Sequence, residues 1–455
     1  MIPRNAPDLD TLFGSTKHAD EARLILQYMF RVRIMLKSNE HYAPGISRES
    51  GWCPIRAKNL KAMLSNRYKP VLDRLIEVGV IELEKNAITG RKNYAPGIYT
   101  MKYRVVLGLI SDKLGRKYRI EQIETPRLIA KILWFYRRIY RNQQEQFLTD
   151  AGWYSANLKF IDSIELIIES TELLGSDQLL GTAIQFNDGT GRFISQDDFA
   201  GRIHSHLCTL PKILRSYIKL KDDSDTLVIA DVKSAQPYLI SAILYRPKLI
   251  ELIPEFMPIL DRIKPFSDKP DVRMFYEDCA SGSFYTKWMD ATGLDKQSAK
   301  TSLFRHVFYS AASNHHADEN VRSERIRIRF AFETLYPNVY CALTILKRTR
   351  KETLPFVYEL TKRGKKEGRM YVTPNMIAQR LEVGVFIKLI TKTCTDNDVI
   401  TGTIHDAWIM KKSDLDSFLF IFKETFNQLG VKAPQLAIDE LGLCNNNIEL
   451  LHSGK

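Results

Sequence analysis

Apolar residues recur at helical spacing over most of the chain and gather into short β-branched runs at only a few places. In residues 1–107 a short helical stretch spans Ile55–Leu64, and SNRYKPVLDRLIEVGV follows from Ser65. Val71, Leu72, Leu75 and Ile76 mark one face of a second helix, with Pro70 suited to its first turn and Gly79 placed to end it. Val80–Lys85, a loop with two basic residues and Ile98–Val106 then read as a β-hairpin. Residues 108–200 are mainly helical in pattern. The stretch from Pro126 carries a basic face (Arg137, Arg138, Arg141) that either grips nucleic-acid backbone or is simply solvated, and the stretch from Phe160 is acidic and apolar, as internal packing needs. Within residues 221–455, long amphipathic helices separate two strand-like segments, and the tail after Ser413 keeps helical periodicity.

Those two segments carry the most chemistry. TLVIADVKSAQPYLI, Thr226–Ile240, ends a β-branched run at Asp231, and GTIHDAWIM, Gly402–Met410, sets His405 and Asp406 between two short strands. One carboxylate at a strand end and another at a hairpin tip can meet at one sheet edge. Side by side they repel unless a cation lies between them. Mg²⁺ suits such a site because it takes a few hard oxygen ligands and keeps room for phosphates. Two Mg²⁺ ions clamp the attacking and leaving oxygens of phosphoryl transfer. Taken singly, either aspartate is usually a turn or helix-cap residue.

Between them, KQSAKTSLFRHVFYSAAS places Lys296, Lys300, Phe304 and Phe308 at intervals of four. On a helix these share a face, where lysines can hold a triphosphate and rings can stack on a base. The plainer alternative puts Phe304 and Phe308 in the core and the lysines in water. Upstream of Asp231, GRIHSHLCTLPKILR (Gly201–Arg215) has the Arg, Lys and Ser content of a phosphate-contacting loop. The runs Lys347–Lys351 and Lys362–Arg369 are solvated loops or further backbone contacts.

Composition narrows the class without choosing a function. A chain of 455 residues with 44% hydrophobic and 26% charged residues is an ordinary globular protein of two or three domains. A formal net charge of +13 favours a polyanionic partner, nucleic acid above all. No apolar run reaches the roughly 18 residues of a membrane span, and the N-terminus lacks the pattern of a signal peptide. Six scattered cysteines without CxxC spacing suit reduced thiols in a cytosolic setting and argue against zinc.

The order of these segments resembles family A DNA polymerases and the related single-subunit RNA polymerases of bacteriophage type. Asp231 looks like the motif A aspartate. Lys296, Lys300, Phe304 and Phe308 look like the motif B helix, with Lys296 where the family usually has Arg. His405-Asp406 looks like motif C. Gly201-Arg202 through Ser205 to Leu210-Pro211 is similar to the family's GR…S…LP stretch against template and primer, and Gln379 resembles a glutamine along the primer–template minor groove. The likeness covers about residues 195–412 and rests on the ordered combination of segments. It departs from the family in several places. Gln236 stands where DNA polymerases carry the Glu that excludes a ribose 2′-hydroxyl, and Ser234 sits one residue later than the usual serine. Ala407 follows Asp406 in place of Glu or Ser. Tyr309 is displaced by one residue, and Ser310 replaces the glycine after it. Separately, the helix, turn, helix and basic hairpin of residues 1–107 look like the winged-helix domains of plasmid-type replication proteins. Lys69–Val78 would be the recognition helix and Lys85–Gly97 the wing; the alternative is a small module that docks a protein.

The resemblance implies an α+β polymerase palm of antiparallel strands with helical fingers and thumb, preceded by a winged-helix-like domain. The divisions are 1–107, 108–220 (thumb-like region and template-contact segment) and 221–455 (palm and fingers). It implies a DNA-directed DNA polymerase of a phage, plasmid or other mobile element. Its partners are template, primer, nucleoside triphosphates and other replication proteins, with no membrane. Asp231, Asp406 and the Val232 carbonyl would hold two Mg²⁺ ions. Lys296, Lys300, Phe304, Phe308, Tyr309 and Gln236 would bind the nucleotide, and Arg202, Ser205, Gln379 and His405 the template and primer. An RNA polymerase or primase, a replication initiator with a vestigial palm, and a nuclease are the rivals.

Overall fold

The computed structural model describes residues 2–38, 52–85, 89, 101–106, 109, 118–119, 121–131, 151–168, 176–189, 194–196, 201–310, 318–349 and 373–441. Two compact units emerge, one of Met1–Gln146, Leu166–Arg192 and Leu210–Tyr217, the other of Phe147–Glu165, Phe193–Thr209 and Ile218–Lys455. Residues 108–220 are thus divided between them. Helices and small antiparallel sheets make the protein α+β. No helix among the described residues is long and apolar enough to cross a membrane.

The first unit contains α1 (Thr16–Ser38), β1 (Cys53–Pro54), α2 (Ala57–Leu64), α3 (Tyr68–Glu77), β2 (Ile81–Leu83) and β3 (Lys102–Val105). The strands pair antiparallel in the order β1-β3-β2. A single 3₁₀ turn, Ser65–Arg67, joins α2 to α3. Leu60, Met63, Leu64, Val71, Leu72 and Leu75 are buried because their spacing puts them on facing stripes of the two helices. Gly79 takes φ +73° to end α3, a left-handed conformation that costs glycine little. The outer surface from Arg56 to Glu77 exposes Arg56, Lys58, Lys61, Arg67, Lys69 and Arg74 against only Asp73 and Glu77. Most of Lys85–Gly97, the face at Arg137, Arg138 and Arg141, and Lys362–Arg369 lie outside the described residues.

The second unit contains α4 (Ala151–Ser163), β4 (Ile194–Gln196), β5 (Ile203–Ser205), β6 (Leu227–Val232), α5 (Ala235–Tyr245), α6 (Pro270–Ala280) and α7 (Phe284–Thr292). After these come α8 (Lys296–Ser302), α9 (Glu319–Leu335), α10 (Pro337–Arg348), α11 (Pro374–Glu382), β7 (Gly402–Ile404), β8 (Ala407–Lys411), α12 (Leu415–Gln428) and β9 (Leu436–Leu441). Its main sheet is antiparallel, in the order β7-β8-β6-β9.

Strand alternation gives this sheet two faces. Val228, Ala230, Val232, Trp408 and Met410 sink into the helical core, while Asp231 stands exposed on the opposite face. Helix α5, apolar on nearly every side, is buried from Pro237 to Leu244, as such a helix must be. The free edge at β7 is closed by α4. Asn157 Oδ1 accepts from the Thr403 backbone N–H at 2.8 Å and its hydroxyl at 2.9 Å, which removes open edge groups. The close approach of α4 requires glycine at 402, since a Cβ there would stand 2.2 Å from the Phe160 ring.

Candidate active site

Two tight turns bring the aspartates together. Residues Ile404 and Ala407 pair across a two-residue hairpin turn made of His405 and Asp406. His405 has φ +55°, a left-handed conformation that histidine adopts more readily than most residues. Asp231 lies directly opposite Ala407, and the Val232 N–H donates to the Asp406 carbonyl at 3.1 Å. The two aspartates therefore spring from adjoining backbone positions at one end of the sheet. Ser234, with φ +59°, then turns the chain sharply into α5 and sets Gln236 in its first turn. A positive φ at a serine is strained by about 1 kcal/mol or more and is held by its surroundings.

The electrostatics of the site come from both ends of the unit. Burial pushes the Asp406 carboxyl above its ordinary range, against its own backbone N–H and the nearby cations Arg202 and Lys300. Lys296 and Lys300 are both exposed on α8, and Asp295 caps that helix by accepting from the N–H groups of Gln297 and Ser298. Two hard carboxylates rooted at one sheet end are a donor set that fits Mg²⁺, which binds through one or two carboxylates and leaves positions for phosphate. Among the described residues, no group of three or more His, Cys, Asp and Glu side chains is placed to hold a metal. Any ion here would thus depend on the aspartate pair and on substrate oxygens.

The end of the Lys296–Phe308 segment departs from the four-residue spacing. After α8 the chain runs as a π helix, Leu303–Phe308, and the Tyr309 N–H donates to the Phe304 carbonyl five residues back, at 2.8 Å. This wider turn absorbs one residue. Phe304 and Tyr309 come to share a face with ring centroids 5.2 Å apart, both half-buried. The Tyr309 hydroxyl donates to Gln236 Oε1 at 3.1 Å. Burial raises the Tyr309 pKa, and Arg202 and the bond to Gln236 oppose the shift.

Two assignments from the sequence are corrected. Phe308 is fully buried against Phe304 and Phe332, so it is a core residue and offers no face to a base; the π turn rotated it inward. Ser205 is also fully buried at the end of β5, its hydroxyl 3.7 Å from Cys208 Sγ, which removes it from template contact. Arg202 remains near Asp406 and Tyr309, but its guanidinium is engaged by the buried carboxylate of Glu382 on α11. Gln379, half-buried, lies one turn earlier on that helix. His405 packs edge-on to His204, ring centroids 5.5 Å apart.

Tyr285, from α7, is a site residue that sequence reasoning missed. Burial is the main cause that drives its hydroxyl well above the ordinary range, and Tyr309 and Asp406 lie close enough to add to the effect. Its sole sequence signal is an aromatic pair, Phe284-Tyr285, shortly before Lys296, a pattern common in any helical core.

No protein-family model matches the chain, and no curated protein does. Among solved structures, the chain is similar to the POL domain of Pol1 from M. smegmatis in complex with DNA primer-template and dNTP. The identity is 11%, the TM-score 0.27, and the match covers 60% of this chain and 54% of that one. The chain thus matches about half the length of that structure.

Proposed function

We propose that this protein is a template-directed nucleotidyltransferase, and within that class a DNA-directed DNA polymerase. The observation that carries the reading is Asp231 opposite Ala407, with the Val232 N–H on the Asp406 carbonyl, which roots the two aspartates at adjoining backbone positions at one sheet end. Asp231, Asp406 and the Val232 carbonyl would hold two Mg²⁺ ions. When bound, these supply activation of a primer 3′-hydroxyl and neutralisation of charge on the triphosphate.

Each neighbouring side chain then has a task. Lys300, close enough to Asp406 to act on its titration, holds the triphosphate, with Lys296 one turn away. Phe304 and Tyr309 form the aromatic wall beside the base. Gln236 faces the sugar, and its amide oxygen is fixed by Tyr309 so that its bulk disfavours a 2′-hydroxyl. Arg202, Gln379 and His405 line the path of primer and template. In the first unit, the six exposed Lys and Arg residues around α2 and α3 hold duplex DNA in the manner of a winged helix. The setting is the replication of a phage, plasmid or other mobile element.

Extension of a primed DNA template by the full chain in Mg²⁺, with deoxyribonucleotides and ribonucleotides supplied separately, tests the reading. The expected result is extension with deoxyribonucleotides. Extension with ribonucleotides alone would replace the DNA polymerase by an RNA polymerase or primase. No extension with either pool, alongside intact DNA binding, would leave a DNA-binding initiator.

A further inference from the structure

The π turn is held by two buried basic side chains that come from later helices. Arg329, on α9, is 2% exposed, and its Nε donates to the His306 carbonyl at 2.9 Å. The same guanidinium donates through Nη2 to the Ser310 hydroxyl at 2.7 Å, and that hydroxyl donates to the His306 carbonyl at 2.6 Å. Lys347, on α10, is 4% exposed and donates to the neighbouring Val307 carbonyl, so the start of the Lys347–Lys351 run is a buried helical position and not the solvated loop or nucleic-acid contact its charge suggested.

A five-residue turn leaves its last carbonyls without their usual α-helical donors, and a buried orphan carbonyl is unfavourable. Two N–H donors meeting two adjacent carbonyls at one turn answer that need. The turn they hold is the one that puts Tyr309, rather than Phe308, against Gln236. Ser310 belongs to the same brace.

We propose that Arg329 and Lys347 are positioning residues for nucleotide selection. They clamp the carbonyls of His306 and Val307 so that the π register persists and Tyr309 holds Gln236 at the sugar of the incoming nucleotide. The selectivity part rests on the polymerase reading above; the register part stands on the geometry alone.

The test therefore has two arms. In the first, 3-fluorotyrosine is placed at position 309 and its ¹⁹F signal recorded in the wild-type background, in Gln236→Leu, in Lys347→Met and in Arg329→Lys. Both clamp variants should move the signal away from its wild-type position, as Gln236→Leu does. An unmoved signal in folded clamp variants overturns the proposal, whatever the protein's activity. Arg329→Lys keeps a charge and a donor, so it remains informative if Lys347→Met does not fold.

In the second arm, the ratio of kcat/KM for deoxyribonucleotide over ribonucleotide is compared across variants. Lys347→Met should lower it about five- to tenfold, the size that one hydrogen bond commands. Tyr309→Phe should lower it by a similar factor, and the double variant should add little. A clamp variant that loses rate with the ratio unchanged overturns the proposal, because that is what a merely structural role gives. If the wild type extends no primer while the ¹⁹F arm gives its expected result, the polymerase reading fails and the register assignment stands.

Discussion

Lys347 offers a stability prediction that needs no substrate. Its amine is buried, and that burial, reinforced by Arg329 and Arg325, pushes its pKa down to about 7. In an unfolded chain a lysine titrates near 10.4. Between those values the unfolded state binds the proton that the folded state refuses, so stability rises with pH across this window. The benefit is complete above about pH 10.5 and is lost progressively as pH falls towards 7. A shift of roughly three and a half units, at about 1.4 kcal/mol each, sets an upper limit of about 5 kcal/mol. The perturbation is Lys347→Met, which keeps length and apolar stem and removes the titrating amine. Urea unfolding of both proteins at pH 7, 8, 9 and 10 gives the difference in stability, in which other titrating groups cancel. Wild type should gain on the variant by at least about 2 kcal/mol between pH 7 and 10, a conservative share of that limit. Parallel stability curves would refute the buried, proton-shedding lysine.

Three further outcomes follow from other parts of the structure. Gly402→Ala should destabilise the second unit by about 2 kcal/mol in thermal or chemical unfolding, because a Cβ meets the Phe160 ring at 2.2 Å, and Phe160→Leu should recover part of the loss. Since burial raises the Asp406 pKa, protons should compete with Mg²⁺ there at higher pH than at an ordinary carboxylate. Calorimetric Mg²⁺ affinity should fall as the pH is lowered, beginning at a higher pH than for an ordinary carboxylate, and Asp406→Asn should flatten that dependence. In the full chain, Lys69→Glu with Arg74→Glu should reduce the slope of log affinity for duplex DNA against log salt by about 2. An unchanged slope would assign the α2–α3 surface to another partner.

How much of this was legible in the sequence depends on how local the cause is. The β-branched run into Asp231 and the alternation around His405-Asp406 carry their strand assignments within a few residues, and the helices α2 and α3 follow from apolar spacing, Pro70 and Gly79. Phe308 was misplaced because four-residue spacing presumes an α-helix. What makes the turn a π turn lies on α9 and α10, far along the chain, in Arg329 and Lys347. The trace of that turn in the sequence was the one-residue displacement of Tyr309, which an inserted residue explains. Ser205 was misplaced because its surroundings, Cys208 and the packed β5 segment, are tertiary. Arg202 lies near Asp406 and Tyr309, but its partner Glu382 comes from a helix that no spacing rule joins to it. Tyr285 and Asn157 act through contacts with distant segments, and neither stands in a pattern that marks it out.

The most direct test of the central claim is single-turnover primer extension in Mg²⁺ by wild type, Asp231→Asn and Asp406→Asn, with primer–template affinity measured on the same samples. Two carboxylates sharing metals at one sheet end predict a loss of at least about 10³-fold in rate from either change, a few kcal/mol of transition-state charge stabilisation. Affinity for primer–template should stay within a few-fold of wild type. Extension at near wild-type rate by either variant would contradict the account.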